Sequence, residues 1–63
     1  MNDISSVAVN LIKGYFGESI SLEYKKFYQT QNVETIKKSI TELLTEYLGE
    51  DQAKKKLQEQ NLL

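Results

Sequence analysis

Apolar residues at Ile4, Val7, Ala8, Leu11, Ile12, Tyr15 and Phe16 recur by threes and fours, the spacing that lines one face of an α-helix. Asp3 stands at the N-cap position before this run, and Gly17 follows it where a left-handed residue commonly stops a helix. The spacing predicts a first helix from Ile4 to Phe16. A second, stricter stripe runs through Val33, Ile36, Ile40, Leu43 and Tyr47 and is widened by Leu44 and Leu48. Asn32 can cap this helix, Glu34 suits the positive end of its dipole, and Gly49 closes it.

The segment from Glu18 to Gln29 fits two patterns. Ile20, Leu22 and Tyr24 alternate as in a strand, whereas Ile20, Tyr24, Phe27 and Tyr28 share a helical face. Helix is the better reading, because no other β-like run in the chain can pair with a strand. Only strand exchange with another copy would rescue the alternative. After Gly49, Glu50 and Asp51 suit a helix start, and Glu50/Lys54 and Asp51/Lys55 stand four apart with the acid first. Only Ala53 and Leu57 offer that helix an apolar face, so it is expected to pack lightly and fray before Leu62 and Leu63. Gln29 to Asn32 is a polar turn, and no Pro or Ser/Gly linker divides the chain. The expected fold over residues 1–63 is one all-α domain: a small antiparallel helical bundle of three main helices plus a weak C-terminal helix.

An internal match runs at an offset of 32 residues, pairing Ile4 with Ile36, Leu11 with Leu43, Tyr15 with Tyr47, Gly17 with Gly49 and Glu18 with Glu50. Two helix-turn-helix units would follow. Two amphipathic helices that each end in a glycine also align in this way by chance, and the aromatics after Gly17 have no counterpart after Gly49.

Size sharpens the picture. A chain of 63 residues buries only about 60% of its unfolded surface and is marginally stable alone. Without cysteine it has no disulfide and no thiolate zinc site, which leaves association as reinforcement and makes a homodimer the expected state. No apolar run approaches the ~20 residues of a membrane span, and no signal-peptide pattern opens the chain, so a cytoplasmic protein without a membrane partner is expected. Nine acidic residues against eight basic ones, all lysine, create no field for a polyanion.

The chemistry on offer is sparse. Catalysis near neutral pH leans on His or Cys, and the chain has neither; an enzyme is not expected, and no cofactor is implied. Glu42, Glu46 and Asp51 could approach a cation, but the Glu-x-x-His pair of bundle metal sites is missing, so they read as a solvated acidic face. Gly14, Gly17 and Gly49 lack the spacing of a phosphate loop. Gly14 falls inside the first helix, either at a close approach of another helix or simply tolerated there. Lys25–Lys26, Lys37–Lys38 and Lys54–Lys56 offer a basic patch for the alternative reading, a small nucleic-acid-binding helix-turn-helix regulator. The start of the third helix, Val33, Glu34 and Thr35, lacks base-reading side chains, so no nucleic acid is expected as partner.

Aromatics are the feature most in excess. Tyr15, Phe16, Tyr24, Phe27, Tyr28 and Tyr47 bunch around the first turn and the end of the third helix, and tyrosine suits an interface because it buries a ring while its hydroxyl stays wet. These patterns lead to a non-enzymatic protein-binding module, a small regulator, adaptor or immunity-type protein presenting an apolar helical face to another protein or to itself. The expected partner-binding residues are Tyr15, Phe16, Tyr28, Leu44, Tyr47 and Leu48.

Overall fold

A computed structural model describes residues 3–62 and contains four α-helices, α1 (Ile4–Phe16), α2 (Glu18–Tyr28), α3 (Val33–Leu48) and α4 (Glu50–Glu59), with no strand among the described residues. The ambiguous second segment is therefore helical. Asp3 caps α1 as its position implies, its carboxylate accepting hydrogen bonds from the Ser5 amide and the Ser5 and Ser6 hydroxyls, each 3.1 Å long. The Asn32 side chain likewise accepts from the Thr35 amide at 2.8 Å and starts α3.

The bonds from Ser5, and then from Ser6, favour the ionised carboxyl and hold Asp3 below the usual aspartate range. A carboxyl whose folded pKa is depressed adds stability above its unfolded pKa and loses it as the pH falls through the folded value. Asp3→Asn keeps a capping oxygen without the charge. The variant should therefore lose less stability than the wild type between about pH 7 and about pH 3, read as the shift in urea midpoint. Equal shifts in the two proteins would refute this role for Asp3.

Gly17 and Gly49 are each the last cap of one helix and the first of the next. The Gly17 amide donates to the Lys13 carbonyl at 3.1 Å while its own carbonyl accepts from Ser21 at 3.2 Å. Gly49 bonds in the same way to Thr45 and from Ala53, both at 3.0 Å. One residue thus turns the chain without giving up its own hydrogen bonds. Both glycines have positive φ, as expected of helix stops, but ψ is extended: φ 96°, ψ 169° at Gly17 and φ 88°, ψ 160° at Gly49. This is not the αL region anticipated from the sequence but one that is essentially restricted to glycine. The difference arises because the next helix begins at once. Neither α2 nor α4 has a side-chain cap, and Glu18, Glu50 and Asp51 in their first turns face the dipole instead.

The glycine corners recur at the offset of 32 residues, whereas the helices they join differ in length, and Tyr28 and Leu57 are buried where their counterparts Gln60 and Lys25 are exposed. α1–Gly17–α2 and α3–Gly49–α4 share corner geometry, and corresponding residues are buried: Ala8 with Ile40, Ile12 with Leu44, Ser21 with Ala53. α1 packs on α2 and α3 on α4, and the halves join through α1 and α3. Tyr15 meets its own counterpart Tyr47, ring centres 5.8 Å apart. Like surface against like surface is the arrangement of a two-fold dimer, here inside one chain.

The fourth helix departs from expectation. Ala53 and Leu57 are fully buried, and Leu62 joins the core instead of fraying. The reason is local: Asn61 takes a left-handed turn (φ 59°), Leu62 donates to the Leu57 carbonyl at 2.8 Å and Asn61 to Gln58 at 3.1 Å. This Schellman closure folds Leu62 back onto Leu57. Leu63 lies outside the described residues. The expected Glu50/Lys54 and Asp51/Lys55 pairs do not form; the one ion pair among the described residues joins Lys56 and Glu59 at 3.5 Å.

Gly14 is exposed, and a Cβ added there would meet nothing within 4 Å, so no other helix approaches it. Gly14→Ala should stabilise the chain by about 1 kcal/mol, since alanine adds helix propensity at no steric cost. A rise in melting temperature checks this; a fall would mean that α1 needs the glycine.

Candidate functional site

Two contacts fix how α2 is rotated about its axis. The Ser21 hydroxyl donates to the Glu18 carbonyl at 2.7 Å, which lets a buried polar side chain sit against α1 without an orphaned group. At the other end Tyr28 is buried, and its hydroxyl shares a 2.9 Å hydrogen bond with Ser39 of α3. Burial raises the Tyr28 pKa, the Ser39 bond opposes that rise, and Tyr24 adds to it. With Ser21 and Tyr28 turned inward, Ile20, Leu22 and Phe27 are left 40%, 50% and 45% exposed. Glu23, Tyr24 and Phe27 line a shallow depression of about 250 Å³ on the outer side of α2.

The six aromatics fall into two groups. Tyr47 meets both Tyr15 and Phe16, the latter at 4.6 Å between ring centres. Tyr28 meets Tyr24 at 5.7 Å and Phe27 at 5.6 Å. The first trio sits where α1 and α3 end, the second along α2 beside its contact with α3.

The partner-binding residues expected from the sequence are divided by the fold. Tyr47 is 54% exposed, and Tyr15, Phe16 and Leu48 are half-buried. Leu44 and Tyr28 are core residues and offer no surface to a partner. Leu44 points inward because α4, with Ala53 and Leu57, covers the flank of α3 that Leu44 widens. Ile20, Leu22, Phe27 and Val33 also remain exposed; Phe27 belongs to the aromatics in excess, but none of the four is among the partner-binding residues expected from the sequence. A comparison of α2 with the polar outer face of α4 was the signal that could have found the first three.

Glu42, Glu46 and Asp51 are exposed, and no metal-binding group of three or more His, Cys, Asp or Glu occurs among the described residues. A second groove of about 410 Å³ lies where α1 and α3 begin and α4 ends, with Ile4, Val7, Val33, Leu62, Asp3 and Lys37 in its lining. Among the described residues no helix is long and apolar enough to cross a membrane. Comparison with known protein families, with curated proteins and with solved structures finds no match for this chain.

Proposed function

We propose that this chain is a non-enzymatic protein-binding module whose docking surface is the outer face of α2, centred on Ile20, Tyr24 and Phe27. Single exposed apolar residues are ordinary on any protein. What supports the reading is the comparison the molecule makes with itself. At the positions corresponding to Ile20, Leu22, Tyr24 and Phe27, α4 carries Gln52, Lys54, Lys56 and Glu59. The same corner is thus built with a polar outer face in the second half, where α4 has 10 residues against 11 in α2, so folding does not require Ile20, Leu22 and Phe27 to be apolar. An apolar and aromatic patch that the scaffold does not need is the signature of a contact surface. The Tyr15, Phe16 and Tyr47 trio, with Leu48, is a second aromatic patch at the far ends of α1 and α3. In this reading the two helices joined at each glycine corner pair antiparallel, as the short connections suggest, while α1 and α3 lie with their corresponding ends together, and α2 is held with its outer side free.

The equivalent position in α4 supplies the control for the test. A photo-cross-linking residue is introduced at Phe27 and, separately, at Glu59, and each protein is irradiated in the cell that produces it. Covalent protein adducts are expected from position 27 and not from position 59. No adduct at position 27, or equal yields at the two, would overturn the reading.

A further inference from the structure

We infer that the occupant of the α2 face is a second copy of this chain, lying antiparallel so that Ile20 of each copy packs beside Phe27 of the other; this rests on the docking reading above. Ile20 and Phe27 stand seven residues apart on one side of α2, with Glu23 and Tyr24 midway between them. Reversing the helix about that midpoint exchanges Ile20 with Phe27, so the stripe is complementary to its own reverse. Four residues at i, i+3, i+4 and i+7 form the hole that receives a side chain from a facing helix. Ile20, Glu23, Tyr24 and Phe27 have that spacing, and the last three already line a depression.

The charges point the same way. Glu18 lies in the first turn of α2, and Lys25 and Lys26 lie in the last, so opposite ends of the helix carry opposite signs and the face as a whole favours neither an acidic nor a basic partner. Glu23 and Lys26 share one edge of the stripe three residues apart, and neither is engaged in an ion pair within the described residues. In an antiparallel pair like edges meet, which sets the two Glu23 carboxylates side by side at the midpoint with a Lys26 of the other copy within one turn of each, so that the two lysines bracket the two acids. Such an isologous contact is the usual form of a homodimer. It also supplies the reinforcement that a cysteine-free chain of this size otherwise lacks. A helix of 11 residues is about 16 Å long, less than a standard interface spans, so the expected dissociation constant is on the order of 10–100 μM.

Sedimentation equilibrium of the full chain from about 5 μM to about 500 μM tests this. The wild type is expected to pass from monomer to dimer over that range. Glu23→Lys and Lys26→Glu should each weaken the dimer by roughly tenfold at low salt, and the double variant should return to within about threefold of the wild type. Both positions are exposed, and far-ultraviolet circular dichroism confirms that the helices are retained. A wild type that stays monomeric throughout, or single variants without effect, or a double variant no better than the singles, overturns the second-copy proposal. A monomeric wild type that still cross-links through position 27 to a protein of different mass would leave the docking reading standing and remove only its choice of partner.

Discussion

Leu44→Lys should abolish cooperative folding. Leu44 is fully buried in the cluster formed with Ile12, Ile40 and Leu57, and the only buried polar side chain among the described residues is Ser21. A lysine at this position would have to bring its ammonium into a core that holds no carboxylate, or drag α4 away from α3 to reach water. Either costs several kcal/mol. A chain of 63 residues has roughly 3–9 kcal/mol of total stability at the usual value per residue. Leu44→Ala, which removes packing without adding a charge, should cost about 3–5 kcal/mol and leave a partly or wholly unfolded protein. Circular dichroism through a urea titration reads both. If Leu44→Lys instead melts cooperatively near the wild type and only its association changes, the core placement of Leu44 is wrong.

Gly49→Ala and Gly17→Ala come next in size. A Cβ at either position would meet nothing within 4 Å, so the whole effect is backbone strain. With φ near +90° and an extended ψ, an L-residue sits in a region that costs about 1–3 kcal/mol per site, more than the ~1 kcal/mol of an ordinary left-handed cap. The same geometry reverses sign for the mirror-image residue. D-alanine at Gly49 finds the equivalent of an ordinary extended conformation, and it should stabilise the chain by about 0.4–1 kcal/mol by restricting the unfolded state. The chain is short enough for total chemical synthesis, so L-Ala, Gly and D-Ala at position 49 can be compared by melting temperature. Any order other than D-Ala above Gly above L-Ala contradicts the corner geometry.

Local signals carried most of the fold. Asp3, Asn32, Gly17 and Gly49 marked helix ends because capping depends on a few adjacent residues, and the three-four spacing of α1 and α3 survives any tertiary context. Helix in the second segment followed from the absence of a partner strand. What periodicity does not carry is which neighbour covers a face. Leu44 and Tyr28 share stripes with exposed residues, and only the folding back of α4 and the Tyr28–Ser39 bond show that these two are interior. Ala53 and Leu57 alone give the fourth helix little apolar face; Asn61, as a left-handed terminator, adds to it by returning Leu62 to the core. The α2 residues mix strand and helix spacing, so periodicity places Ile20, Tyr24 and Phe27 on one face with Tyr28 without showing that Tyr28 is interior and Ile20 and Phe27 are not. The outer face of α2 becomes visible once the match at 32 residues aligns it with the polar face of α4.

The single-glycine corners also govern the tempo of folding. Each half closes between helices that are immediate neighbours in the chain, so forming it sacrifices almost no loop entropy. The docking of α1 on α3, and of the Leu62 end beside the start of α1, brings distant segments together. Chains organised in this way have low contact order and fold in microseconds to milliseconds. This protein should therefore recover its native state faster than it can meet other unfolded copies, and its two halves are the natural units in which it opens and closes.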